Sequence, residues 1–338
     1  MAWYAVNKRI LPWRNTTNPY KIWLSEIILQ QTRVAQGTKY YLSFIENFPT
    51  VTQLANASEN EVLKLWQGLG YYSRARNLHF TAKLIEKEWK GKFPNNHADL
   101  LKLKGVGTYT AAAIASFAFN LPYPVIDGNV YRVLSRMFGI DNPINQPISN
   151  KIFSELANLL IDKKNPAEYN QAIMEFGAMQ CLPANPNCNN CTFISSCFAF
   201  NQNRVKELPV KLKKTKQKAR FFNFLDFQDG EKTILTKRTG NDIWKGLYQF
   251  PLVESQKTME WDEIAATSEI FEAVANAKLI GSFKSFKHQL THQILHAKFW
   301  KVTGKFDSKK LDASCKVIKI KDLEKYPIPR LMELYLES

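Results

Sequence analysis

The apolar residues of this chain recur on one period before about residue 200 and on another after residue 220. In YKIWLSEIILQQTRV (20–34) they return every three or four positions, as one face of an α-helix requires. In FFNFLDFQDGEKTILTKRT (221–239) the period is two, broken at Asp229-Gly230, the pattern of two strands joined by a tight turn. A segment patterned for one period does not settle into the other, so the chain must build two domains of different class. Its 338 residues suffice for a core in each, and a hydrophobic content of 45% excludes a disordered chain.

Further helices are expected at 58–67, where Ser58 and Glu61 form a capping box, and at 73–90, 109–120, 128–138, 148–162 and 167–179. The second half should add a helix over 261–279 and a strand over 294–304. Between the halves, RVKELPVKLKKTKQKAR (204–220) has eight basic residues and one acid, Glu207, and reads as an exposed linker. No stretch approaches the ~18–20 apolar residues of a spanning helix. The opening MAWYAVNKRILPWR lacks the apolar core of a signal peptide, so a cytoplasmic protein is expected. Lys and Arg total 46 against 30 Asp and Glu, a formal charge of +16. Such an excess points to a polyanionic partner, nucleic acid first.

A candidate contact for that partner is LKGVGTYT (103–110). Gly105, Val106 and Gly107 link a short helix, HADLLKL (97–103), to the run beginning at Thr108. Glycines permit positive φ and close backbone approach, and amides at the positive end of a helix suit a phosphate. The unit is a helix-hairpin-helix, which grips a DNA backbone without reading sequence.

Two carboxylates occupy unusual places. Glu26 shares a helical face with Ile22, Trp23 and Leu29. If buried, its pKa rises and it keeps the proton a general acid must donate; if at the helix edge, it simply reaches water. Asp127, in VIDGNVYRVLSR, precedes a helix and suits an N-cap, where it would stay ionised. One protonated and one ionised carboxyl is the division of labour for cleaving a glycosidic bond through an oxocarbenium-like state.

Cys181, Cys188, Cys191 and Cys197 have the spacing C-x6-C-x2-C-x5-C, with Cys315 apart. One tight pair flanked by longer loops suits a cubane iron–sulfur cluster better than zinc, which usually takes two C-x2-C knuckles.

Together these segments resemble the MutY-type adenine DNA glycosylases of the endonuclease III, or helix-hairpin-helix, superfamily. The resemblance is carried by SEIILQQTRV around Glu26, QGLGYYSRARNL (67–78), LKGVGTYTAAAIASFAF, VIDGNVYRVLSR, NQAIMEFGAMQC (170–181) and the cysteine spacing. It implies an all-α glycosylase domain over 1–200, with a six-helix module near 21–111, the hairpin near 97–115, and a cluster module from 1–20 and 112–200 holding a [4Fe-4S] cluster. A linker over 201–220 and an α+β, MutT-like (Nudix-fold) domain over 221–338 would follow. The implied activity is base excision of adenine opposite 8-oxoguanine or guanine in double-stranded DNA, by a monomer in the bacterial cytoplasm, at the nucleoid. By position, Glu26 would protonate the purine ring of a flipped adenine and Asp127 would stabilise or trap the sugar cation, supported by Tyr109 and Asn129. Trp13, Arg14 and Gln171 match the adenine pocket. Gln31, Thr32, Leu69 and Tyr71 match the surface around the opposing base, Tyr71 as a wedge.

Tyr109 stands where bifunctional relatives carry a Schiff-base lysine, so strand cutting should be weak or absent. IWKGLYQFPLVE (243–254) is similar to a Nudix stretch, yet no arginine occurs between Arg238 and Arg330 to supply the hydrolase box, which implies binding without hydrolysis. Leu290-Thr291-His292 stands where relatives often have Phe-Ser-His: Thr291 keeps a hydroxyl for 8-oxoguanine and Leu290 loses a ring. The alternatives are an endonuclease III-like glycosylase and lyase for damaged pyrimidines, and a non-catalytic iron–sulfur DNA-binding protein.

Overall fold

The structure, a computed structural model, describes residues 1–212 and 217–338. Residues 213–216, in the middle of the expected linker, lie outside the described residues. The chain forms two compact units. The first contains residues 1–56 and the chain from 77 up to the undescribed stretch; the second contains 57–76 and everything after that stretch. No helix among the described residues is long and apolar enough to cross a membrane.

The first unit is helical, with α1 (Ala2–Asn7), α2 (Pro19–Leu29), α3 (Val34–Asn47) and α4 (Val51–Asn56) before residue 57. In α2, Pro19 takes the first helical position, and Asn18 caps it by accepting from the Tyr20 and Lys21 amides. The helix expected over 20–34 stops early. Gln30 turns out of the helical region and Gln31 takes φ +56°, so the chain bends before α3 begins. No glycine or proline marks that stop, and the apolar period runs on through it.

Helix α5 (Glu59–Trp66) lies in the second unit, and both halves of its expected capping box form. Helix α6 (Ser73–Trp89) begins in the second unit and ends in the first. The first unit resumes with α7 (His97–Leu100), α8 (Thr108–Phe119), α9 (Gly128–Phe138), α10 (Pro147–Leu160), α11 (Pro166–Met179) and α12 (Phe198–Asn201). Residues 110–117 of α8 are buried all round. Four of them are alanines, which lets both α2 and α11 pack closely on this helix. Asp127 caps α9, and Gly139 ends it in the left-handed region, matching the expected 128–138.

In the second unit β1 (Lys218–Asp229) and β2 (Lys232–Lys237) form the expected hairpin. The remaining strands are β3 (Tyr248–Gln249), β4 (Leu252–Ser255), β5 (Val274–Leu279), β6 (Lys284–Gln289), β7 (Gln293–Phe306) and β8 (Cys315–Lys319). The sheet is mixed: β1 pairs β7 in parallel from Lys218↔Gln293 to Gln228↔Thr303, and the other pairings are antiparallel. Leu225, Phe227, Trp300 and Val302 form a core with Ile264 of α13 (Trp261–Thr267). On other rows of the sheet, Phe224 stacks on Phe299, which stacks on Tyr335 of α14 (Arg330–Leu336). The expected helix over 261–279 is corrected here. After α13 comes a short 3-10 stretch, Glu269–Ala273, and then β5, which pairs with β7. Val274 is buried in the sheet core, and that burial outweighs a helical preference in the same residues.

Candidate active site

Glu26 is 7% exposed, in the last turn of α2. The Tyr109 hydroxyl, from the first turn of α8, donates to its Oε2 at 2.8 Å. Burial pushes the Glu26 carboxyl up to about 7, against the Tyr109 hydrogen bond that lowers it; the nearby Asp127 charge adds to the rise. Burial also raises the Tyr109 phenol, with both carboxylates adding to the effect. Of the two sequence readings of Glu26, the interior one is correct.

Asp127 is a cap and also part of this cluster. Its Oδ1 accepts from the Asn129 and Val130 amides, both at 2.8 Å, and its Oδ2 accepts from Asn129 Nδ2 at 2.7 Å. Burial raises its pKa, opposed by those hydrogen bonds and by Arg132. The net direction is upward, opposite to what a helix terminus alone would impose. Asn129 Oδ1 accepts from Arg132, whose guanidinium also donates to the Gly177 carbonyl at 2.6 Å and the Cys181 carbonyl at 2.7 Å. Gly177 permits this packing: a Cβ there would stand 2.7 Å from Asn129 Cβ and 2.9 Å from its carbonyl oxygen.

Glu26, Leu29, Tyr109 and Asp127 form the shared wall of two cavities. The outer one, about 310 Å³, is lined further by Gln30, Gln31, Gly128 and Tyr131. The inner one, about 210 Å³, continues to Asn129, Thr32, Trp13, Arg14 and Gln171. The structure thus brings together Glu26, Tyr109, Asp127, Asn129, Trp13, Arg14, Gln171 and Thr32, from five separate stretches of chain, with Gln31 on the outer side. Arg14 is held by the Glu175 carboxylate at 2.6 Å and the Arg9 carbonyl at 3.0 Å, and donates to Gln171 Oε1 at 3.1 Å. Glu175 has no exposed side-chain surface. Burial would raise its pKa, yet hydrogen bonds from Arg9 and Arg14 hold it at about 2. Sequence reasoning missed Arg9, Arg132 and Glu175. A signal existed for Arg132: with Arg136, four residues on, it interrupts the apolar face of α9, and both are buried.

At the hairpin, Gly105 takes φ +82° and Gly107 precedes α8 in extended conformation. A Cβ on Gly105 would stand 2.9 Å from Asn77 Cβ of α6, so the turn needs glycine for both conformation and approach. The Val106 amide turns back to the Leu103 carbonyl, so it is not among the outward donors expected there.

Leu69 and Tyr71 lie in the second unit. Leu69 is 8% exposed, whereas Tyr71 is 47% exposed with φ +48°. An exposed aromatic held in the left-handed region is strained backbone, a common mark of functional sites. The Tyr71 hydroxyl is 2.6 Å from Thr291 Oγ1. Leu290, Thr291 and His292 form the tip between β6 and β7, closed by the Leu290 amide on the Gln293 carbonyl at 2.8 Å.

All five cysteines are free thiols. Cys181, Cys188, Cys191 and Cys197 line one apolar cavity of about 30 Å³ with Phe176, Phe193 and Arg136. Arg136 fixes the loop through the Leu182, Pro183 and Leu208 carbonyls at 2.7, 3.1 and 3.0 Å, and reaches Cys181 Sγ at 3.4 Å. Among the described residues, no group of three or more His, Cys, Asp or Glu is arranged to hold a metal ion. The four thiols line one apolar cavity, and four cysteines are a donor set that a cubane iron–sulfur cluster takes.

Residues 24–158 match the HhH-GPD superfamily of base excision DNA repair proteins, and residues 224–338 match the NUDIX domain. Over 304 residues the chain is 37% identical to the adenine DNA glycosylase of Buchnera aphidicola subsp. Baizongia pistaciae, covering 88% of this chain and 82% of that one. Over 218 residues it is 43% identical to the Homo sapiens adenine DNA glycosylase, covering 62% of this chain and 40% of that one. Among solved structures, a thermostable thymine-DNA glycosylase matches with TM-score 0.56 and 29% identity, over 60% of this chain and 93% of that one. A non-covalent endonuclease III–DNA complex matches with TM-score 0.51 and 20% identity, over 60% and 92%, a likeness of fold alone.

Proposed function

This chain belongs to the adenine DNA glycosylases of base excision repair, and from that premise we propose that it removes adenine opposite 8-oxoguanine or guanine by acid-assisted hydrolysis and leaves an abasic site. The observation that carries this reading is Glu26: a buried carboxyl held at about 7 beside a phenol. At neutral pH a large fraction of Glu26 is protonated and able to donate. Tyr109 donates to Oε2, so Oε1 is the oxygen that presents the acid proton to the purine ring of a flipped adenine. Trp13, Arg14 and Gln171 hold that base in the inner cavity. Extrusion costs a few kcal/mol, offset by contacts made there. As the bond breaks, Asp127 stabilises or traps the sugar cation, with Asn129 and Arg132 fixing its carboxylate. Tyr109 has no amine, so no Schiff base forms and the strand stays intact; this disfavours the pyrimidine lyase alternative.

In the first unit the 105–107 turn holds a phosphate and Gln31 and Thr32 contact the DNA at the opposing base; in the second unit Leu69 and Tyr71 contact DNA, Tyr71 as the wedge. Thr291, with Leu290 and His292, meets the oxidised base, which gives the second unit a binding role. In place of a hydrolase box that unit has seven-residue α13, which contains no arginine. Cys181, Cys188, Cys191 and Cys197 would hold a [4Fe-4S] cluster, whose role is to order a loop with almost no core of its own. The domain division is the glycosylase portion over 1–200, the linker over 201–220 and the recognition portion over 221–338, acting as a monomer.

The test is single-turnover cleavage of duplexes with A opposite 8-oxoguanine, G or C, each with and without hot alkali. Alkali-dependent breaks, fastest opposite 8-oxoguanine, are expected. Breaks without alkali would overturn the monofunctional assignment, and equal rates on all three duplexes would overturn the 8-oxoguanine assignment.

A further inference from the structure

A base cut loose in the inner cavity has a problem of exit. On the proposed function the DNA lies against the outer cavity, where Gln31 is, so the nucleotide enters from that side and the abasic duplex still covers it after cleavage. The inner cavity has a second boundary. Trp13, Arg14 and Gln171 line it and also line a third cavity of about 640 Å³. The three cavities are therefore in series: outer, inner and rear, with the carboxylates at the first wall and these three residues at the second.

The second wall has one weak point. Arg14 is anchored by Glu175 and the Arg9 carbonyl as well as by Gln171. Trp13 is buried and packs edge-on against Tyr41 at 5.3 Å. Gln171 is half-buried and carries the wall's remaining bond, from Arg14 Nε at 3.1 Å. A single hydrogen bond is a weak latch, and rotamer changes of a half-buried side chain are fast on the scale of turnover. Beyond the wall, Lys8, Asn15, Thr17 and Glu168 are exposed at the mouth of the rear chamber, so it communicates with solvent. The chamber also carries Tyr4 as an aromatic surface, and its amide, hydroxyl and carboxylate groups can meet ring nitrogens and an exocyclic amine.

We propose that the rear chamber is the binding and exit site for the free purine base, which leaves through a gate formed by Gln171 while the abasic duplex still occupies the front. This rests on the assignment of the inner cavity as the adenine pocket. Thr17 and Ala167 line the rear chamber and are absent from the inner one, so Thr17→Trp and Ala167→Phe put bulk into the exit without touching the reacting groups.

The experiment uses the full-length protein and a duplex carrying radiolabelled adenine at the target position. Adenine excised is measured after acid quench, and adenine released by rapid filtration of the unquenched mixture. In wild type, release is expected to track excision. In both variants excision should proceed at the wild-type rate while release lags at least tenfold. Release that still tracks excision in both variants overturns the proposal. A second measurement does not depend on turnover: labelled free adenine is mixed with the preformed complex of protein and abasic duplex, and its rate of entry is followed. Entry into the wild-type complex but not into Thr17→Trp supports a rear route, and equal entry overturns it. If wild type excises no adenine at all, the failure lies with the adenine-pocket assignment itself, and the exit route falls with it.

Discussion

Replacing Glu26 by glutamine should make the helical unit more stable at pH 8 while slowing its chemistry by orders of magnitude. The carboxyl is buried, and its pKa moves from an ordinary 4.5 to about 7. That displacement corresponds to ~3 kcal/mol of disfavour for the ionised form in the folded state. The folded protein binds the proton more tightly than the unfolded chain, so the sign is fixed. Below about pH 4.5 both states are protonated and nothing is lost. Between about 4.5 and 7 the wild type loses stability as pH rises, and above about 7 the full ~3 kcal/mol is absent. The glutamine side chain has no charge to bury, and its amide carbonyl can still accept from Tyr109. Thermal unfolding of wild type and Glu26→Gln, followed by helical circular dichroism at pH 5, 6, 7 and 8, should show nearly equal midpoints at pH 5. At pH 8 the variant should unfold roughly 6–12 °C higher, the shift ~3 kcal/mol produces in a unit of this size. Excision by the variant should fall by about 10²–10⁴, the usual contribution of a general acid. A midpoint difference that does not change with pH would refute the reasoning, because it would mean that Glu26 is not carrying a buried charge.

Four further outcomes follow from the same geometry. The single-turnover rate of the wild type should be highest below about pH 7 and fall tenfold per pH unit well above it, as Glu26 loses its proton; a flat profile from pH 6 to 9 would contradict an acid role. Asp127→Asn should leave the α9 cap nearly intact, costing under about 1 kcal/mol because Asn caps as well as Asp, while excision drops at least 100-fold; a large loss of stability would show Asp127 to be chiefly a cap. Gly177→Ala places a methyl 2.7 Å from Asn129 Cβ, and is expected to cost about 1–3 kcal/mol by overpacking and to slow excision while duplex binding persists; unchanged midpoint and rate would mean that α11 shifts freely. Tyr71→Phe deletes one exposed hydroxyl contact with Thr291, so stability should change by less than about 1 kcal/mol while the preference for 8-oxoguanine over G narrows, as measured by the ratio of the two cleavage rates.

What the sequence conveys about this protein depends on how far apart the interacting residues lie. Helix α9 is legible to the residue because both its signals are local: Asp127 at the start and Gly139 at the end. The capping box of α5 is legible for the same reason. The end of α2 is not, since the apolar period continues through Gln31 while the backbone has already turned away. Strand β5 is hidden inside a helical expectation because its partner β7 lies more than twenty residues on, and only pairing and burial against it decide the matter. The site follows the same rule. Periodicity shows that Glu26 lies on an apolar face but not what that face meets. The answer comes from Tyr109, 83 residues away, and from Asp127 beyond it. Arg14 and Glu175, separated by 161 residues, make an ion pair that no local window contains. Tyr71 and Thr291, 220 residues apart, end in one compact unit although their sequence contexts belong to a helical half and a strand half. Motif resemblance nominated most of these residues one at a time. Their joint geometry adds what the motifs lack: a desolvated acid, a capped counter-charge, and a chain of cavities that gives a product somewhere to go.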